Sequence, residues 1–140
     1  MAEPGLAWLL LDAFRSIDRE TQAALLDRGI AELRPSHARA MLFIDRSGTR
    51  LGELASRAQV TKQAMMQLVD ELAELGLVRR VPDATDARAK VVKLTARGLR
   101  DRAEARRAIA AVEARARRRV GRRRIDALKL ALVELASEEE

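Results

Sequence analysis

Apolar residues along this chain recur mostly at intervals of three and four, the spacing of one face of an α-helix. Leu6, Leu9, Leu10, Ala13, Phe14 and Ile17 form the first such stripe, which predicts a helix from Leu6 to about Gly29. Pro35 stands where the first turn of a second helix would begin, because its fixed φ suits that turn and its missing N–H costs nothing there. Ala38, Met41 and Leu42 are the apolar face expected for this helix, and Ser47-Gly48 its end. A third helix is predicted from Leu51, with Leu51, Leu54, Ala55 and Ala58 on one side. Three residues later Thr61 offers its hydroxyl as the N-cap of a fourth helix. Met65, Leu68, Leu72 and Leu75 mark its expected buried face, and Gly76 falls at C′, where a left-handed residue closes a helix.

From Leu77 to Leu94 the period shortens. Val78, Val81, Val91 and Val92 flank the polar run Pro82-Asp83-Ala84-Thr85-Asp86, a pattern of two short strands around a loop. Thr95 can then cap a long helix toward Val120, which Gly121 interrupts. A last helix from about Arg122 to Ala136 carries Ile125, Leu128, Leu132 and Leu135 at 3-4-3 spacing, a seam too apolar to face water and suited to packing against another helix.

Two short helices joined by a tight turn, then a two-stranded ribbon, describe a winged helix-turn-helix. The expected fold is mainly α with a small two- to three-stranded β wing, an α+β protein with additional helices at both ends. Three regions follow: 1–34 as an N-terminal helix, 35–96 as the winged helix-turn-helix, and 97–140 as C-terminal helices.

Composition narrows the function. The chain has 140 residues, no cysteine, one His and a formal net charge of +6. Disulfides, thiolate metal sites and thiol redox sensing are excluded outright. No apolar run approaches the roughly 18 residues of a membrane span, and Met-Ala-Glu-Pro-Gly lacks the basic start of a signal peptide. A soluble cytoplasmic protein is the expectation. Of 27 basic residues 23 are Arg, whose planar fork suits phosphates and base edges. The charge is concentrated: residues 77–124 carry 17 basic and 5 acidic side chains, whereas residues 1–76 carry 9 and 11. One His, no Cys, no glycine-rich phosphate loop and no clustered carboxylates leave nothing from which to assemble an enzyme site, and no cofactor or metal is expected.

The segment Leu51-Gly-Glu-Leu-Ala-Ser-Arg-Ala-Gln-Val60, followed by Thr61-Lys-Gln-Ala-Met-Met-Gln-Leu-Val-Asp-Glu-Leu72, resembles the helix-turn-helix of the MarR family. Gly76-Leu77-Val78 matches that family's step into the wing. Asp86-Ala-Arg88, then Val92-Lys93-Leu94-Thr95 and Gly98, match its wing pattern. The resemblance implies a homodimeric transcription regulator, a repressor before an activator, on a near-palindromic double-stranded DNA operator. It also makes the terminal helices the dimerisation region, puts recognition helices in the major groove and brings wing arginines to the minor groove.

Within that frame each residue has a chemical reason. Lys62, Gln63, Ala64, Met66 and Gln67 form the solvent face near the start of the recognition helix. Gln reads adenine with two hydrogen bonds, and Met or Ala touches a thymine methyl. Thr61 at the cap leaves backbone N–H groups for a phosphate. Arg88 on the loop tip is suited to a narrow minor groove, which attracts a guanidinium by width and potential rather than base identity, and Asp86 to holding the turn or the Arg88 side chain. Arg79, Arg80, Lys90 and Lys93 line the strands for phosphates, and Ser36 is a further phosphate candidate. Many members of the family carry Arg at the place of Gln67 and a basic residue at that of Glu74, so the operator itself stays open.

Relatives release DNA when a small aromatic or anionic ligand binds beside the dimer helices. Trp8, Phe14, His37 and Met41 are the candidates here, against an ordinary reading as core, or for His37 as an exposed helix-start residue. The arginine-dense stretch from Arg115 to Arg124 fits none of these roles. Pairing with acidic residues of the first helix (Asp12, Asp18, Glu20) or with the tail of the partner subunit competes with a second anion or nonspecific nucleic-acid site. The rival to the regulator is a low-specificity architectural DNA-binding protein, told apart by the ratio of operator to random-DNA affinity.

Overall fold

The computed structural model describes residues 2–30 and 33–137. Its elements run α1 (Leu6–Asp27), α2 (Pro35–Phe43), β1 (Thr49–Arg50), α3 (Leu51–Ala58), α4 (Lys62–Glu74), β2 (Val78–Pro82), β3 (Lys90–Leu94), α5 (Ala96–Val120) and α6 (Arg122–Ala136). The chain divides into two compact units, Leu25–Ala105 and Met1–Ala24 with Arg106–Glu140.

The Leu25–Ala105 unit is a helical core with an antiparallel three-stranded sheet in the order β1-β3-β2. The wing hairpin pairs Val78 with Leu94, Arg80 with Val92 and Pro82 with Lys90, and Thr49 joins its other edge opposite Val92. Alternation puts Val78, Val92 and Leu94 inward. They close over Leu54, Ala55 and Ala58 of α3 and Met65, Val69 and Leu72 of α4. Leu54, Met65, Val69 and Leu72 are wholly buried, so truncating one of the larger of them creates a cavity costing about 2–5 kcal/mol.

The sequence places α2 correctly but not its rotation. His37, Ala40 and Met41 are buried, while Ala38 and Leu42 face solvent. The inward stripe of 37, 40, 41 and 44 is also a helical one, displaced around the axis from the expected face. Nor does α2 reach Ser47-Gly48: it stops at Phe43, with Ile44 extended and buried. Two guanidinia cap its end, Arg57 donating to the Phe43 carbonyl at 2.9 Å and Arg102 to those of Met41 at 3.1 Å and Ile44. Ser47-Gly48 instead makes the turn into β1, with the Gly48 N–H donating to the Asp45 carbonyl at 2.9 Å.

Between the wing and α5, Thr95 has two bonds from one hydroxyl. It accepts from the Gly98 N–H at 3.0 Å, capping α5, and donates to the Gly76 carbonyl at 2.7 Å. The Thr95 N–H also donates to the Leu77 carbonyl at 3.1 Å. Gly98 lies so close to Leu77 that a Cβ there would overlap the carbonyl oxygen.

In the other unit, α6 folds back on the end of α5. Arg117 reaches Asp126 at 3.0 Å and Lys129 reaches Glu113 at 3.1 Å. Ala108 and Val112 are the buried apolar residues among those described in this unit. The apolar stripes of α1 and α6 stay largely in solvent: Leu6, Leu9, Phe14, Leu128 and Leu135 are exposed, as is Trp8 at 65%.

Candidate nucleic-acid interface

The turn between α3 and α4 is made by Gln59 in the left-handed region, φ 56° and ψ 43°. Its N–H and that of Val60 donate back to Ser56 at 3.1 Å and Ala55 at 3.1 Å, satisfying the last carbonyls of α3. Thr61 then caps α4 as the sequence predicts, its hydroxyl accepting from the Ala64 N–H at 3.0 Å. The helix closes with Gly76 at φ 74°. Met65, Val69 and Leu72 anchor one face of α4. Leu75, expected on that face, is exposed, and Val69 takes the inward place, because 65, 69 and 72 lie closer to one line along the helix.

That anchoring fixes the opposite face. Lys62, Gln63, Ala64, Met66 and Gln67 are all exposed, and the first turn holds no acidic residue. Ser36 is exposed in the first turn of α2. Farther along α4, Asp70 forms an ion pair with Arg80 of β2, which joins the helix to the wing. Arg79, one residue away and so on the other face of the strand, has no ion pair among the described residues.

Glu71 is the most connected acid of α4. It accepts from His37 and from Arg34, and weakly from the Gln67 amide at 3.4 Å. The bond from His37, then that from Arg34, hold its carboxyl below the ordinary range. The His37 side chain is only 9% exposed, and its Nδ1 is buried with no hydrogen-bond partner among the described residues. Its expected exposure is therefore corrected: Glu71, 34 residues away, supplies the partner that lets the ring go inside. Met41 is buried as well. In the other unit Trp8 and Phe14, the latter 51% exposed, are not core.

The wing tip is built by two aspartates. Asp86 accepts from the Arg88 N–H at 3.0 Å, so it holds the turn rather than the Arg88 side chain. Arg88 and Lys90 are exposed, and neither has an ion pair among the described residues. Asp83, passed over as loop by the sequence reading, accepts from the Thr85 N–H at 2.8 Å and hydroxyl at 2.9 Å, and from Arg50 Nε at 2.6 Å. These bonds, the Thr85 N–H first and then Arg50, lower its pKa from 3.8 to about 2. Asp-x-Thr is a local turn signal that could have found Asp83; Arg50, 33 residues away, has no such signal.

No group of three or more metal-ligating side chains occurs among the described residues, and no described helix is long and apolar enough to cross a membrane. The arrangement presents a cationic and amide-bearing helix face beside a turn-locked arginine. It suits a grooved polyanion.

Known proteins bear on this geometry. A model of the MarR family matches residues 31–89. No curated protein matches the chain. Among solved structures, the transcriptional repressor CouR bound to a 23-mer DNA duplex is similar with a TM-score of 0.80 and 24% identity, over 95% of this chain and 93% of that one. A Mycobacterium tuberculosis MarR family protein in complex with p-aminosalicylic acid is 28% identical with a TM-score of 0.65, over 96% of this chain and 100% of its own. CouR from Rhodococcus jostii RHA1 bound to p-coumaroyl-CoA gives 0.72 and 23%, over 96% and 95%.

Proposed function

A model of the MarR family matches residues 31–89, and from that match we propose that this chain is a MarR-family regulator, a homodimeric cytoplasmic repressor of transcription binding a near-palindromic operator. The observation that carries the reading is the exposed face of α4, Lys62 to Gln67, set in one unit with a wing tip whose turn Asp86 holds and whose Arg88 side chain has no ion pair among the described residues. A structurally similar repressor is bound to a DNA duplex.

Gln63 and Gln67 act as the base readers, Ala64 and Met66 touch thymine methyls, and Lys62, Thr61 and Ser36 hold phosphates. Arg88 enters the flanking minor groove, with Arg79 and Lys90 on the backbone of the same stretch. Arg80, tied to Asp70, serves more as a brace than as a free cation. A second copy of the chain covers the apolar stripes that α1 and α6 leave exposed. The paired recognition helices then meet half-sites about 10 bp apart.

Similar structures hold p-aminosalicylic acid and 4-hydroxyphenylacetate, which supports a small aromatic anion as the effector here. His37, with its unpartnered Nδ1, and Met41 are its candidates in the Leu25–Ala105 unit, and Trp8 and Phe14 in the other. Selection of bound sequences from random DNA tests the whole reading. A palindrome with half-sites one helical turn apart is expected; enrichment of nothing refutes it and leaves the architectural alternative.

A further inference from the structure

Ten residues from Arg115 to Arg124 include seven arginines, and nothing in the operator reading uses them. They occupy the last turns of α5 and the first turn of α6, across Gly121 at φ 111°, which favours glycine and so sets the bend between the two helices. Local acids answer some of them. Arg115 pairs with Glu20 at 3.5 Å, Arg117 with Glu113 at 3.5 Å and Asp126 at 3.0 Å, and Arg122 with Asp126 at 4.0 Å. Asp12 and Asp18 have no ion pair with these arginines among the described residues, and the terminal glutamates lie outside those residues.

Arg118, Arg119, Arg123 and Arg124 are exposed and have no ion pair among the described residues. Arg123 and Arg124 also sit at the positive end of α6, where cations are disfavoured and no acidic residue compensates. Four like charges are thus crowded onto one bend that its own acids neutralise only in part, an arrangement that an external polyanion relieves.

We infer that this bend binds the phosphate backbone of a second nucleic-acid segment, separate from the operator, without reading its sequence. Two properties select nucleic acid over an acidic protein. The free cations are all guanidinium, the group that grips phosphate with two parallel bonds. No large exposed apolar residue lies between Ile109 and Leu128, so the bend lacks the apolar anchor that protein interfaces are built around. The four arginines and the operator-facing residues belong to different compact units.

The test uses the full chain and two labelled duplexes, one operator and one random. Operator-loaded protein is expected to capture the random duplex. Four phosphates neutralised per protomer give a salt slope near −3.6, so this capture weakens about 150-fold between 50 and 200 mM salt. The variant R118Q/R119Q/R123Q/R124Q should keep its helical circular-dichroism signal and operator affinity while losing the second duplex by tenfold or more. Capture unchanged in that variant overturns the inference. So does a wild type that holds operator but no second duplex, or one that prefers polyglutamate to DNA. Should wild type fail on every operator candidate, the regulator reading falls alone. Random-duplex binding that drops in the quadruple variant but not in R88A would still support the bend.

Discussion

Replacing Gly98 with Ala sets two effects against each other, and the structure decides their sign. In an exposed helix interior the change is favourable by about 1 kcal/mol. At Gly98 the new methyl would overlap the Leu77 carbonyl oxygen, with the Leu77 carbonyl carbon at 3.0 Å and Leu94 Cδ2 at 3.3 Å. Backbone cannot rotate aside as a side-chain end can, so the start of α5 must move away from Leu77, the residue leading into β2. That movement loosens three hydrogen bonds of Thr95, those with Leu77, Gly76 and Gly98, each worth about 1 kcal/mol net. Less the propensity gain, and with some overpacking strain, the loss is about 2–4 kcal/mol. For a chain of this size that lowers Tm by roughly 10 °C. Gly52 is the control, since it lies in α3 with nothing within 4 Å of a built Cβ. Gly52→Ala should stabilise by about 0.5–1 kcal/mol. Urea denaturation of both variants measures the difference. A Gly98→Ala protein as stable as wild type would refute the close approach of α5 to the Leu77 backbone.

Other outcomes follow from single contacts. Arg88→Ala should weaken operator binding by about 1–3 kcal/mol in fluorescence anisotropy, and an unchanged affinity would remove the wing from the interface. Asp70→Asn frees Arg80 and deletes a negative charge beside it, so DNA affinity should rise and the salt slope steepen by about 0.9; an affinity no higher than wild type in that titration counts against Arg80 as a restrained cation. Thr61→Ala removes the cap of α4 and should cost about 1 kcal/mol on thermal unfolding. Asp83 has a folded pKa of about 2 against an ordinary 3.8, so its contribution is complete above pH 4 and disappears as pH falls toward 2. The difference in stability between wild type and Asp83→Asn should shrink across that window, and a gap that stays constant from pH 5 to pH 2 contradicts the Arg50 and Thr85 bonds.

What the amino-acid order determined by itself is the set of elements and their punctuation. Thr61, Gly76, Thr95 and Gly121 mark element ends through caps and φ preferences that depend only on neighbours a few residues away. The stripe of Met65 and Leu72 marks the inward face of α4 because a strongly amphipathic helix has one apolar side to bury. The helix-turn-helix and wing are legible for that reason, and with them the exposed face from Lys62 to Gln67. Where the pattern is weaker, only tertiary structure decides. In α2 two adjacent stripes compete, and packing turned His37 inward and Leu42 outward because Glu71 of α4 supplies the partner the imidazole needs. Asp83 with Arg50, and Arg80 with Asp70, join residues 33 and 10 positions apart, and no local period encodes such a meeting. The arginines of the α5–α6 bend divide the same way. Their number is plain from the sequence, but which of them find an acid depends on how Glu20, Glu113 and Asp126 are brought beside them.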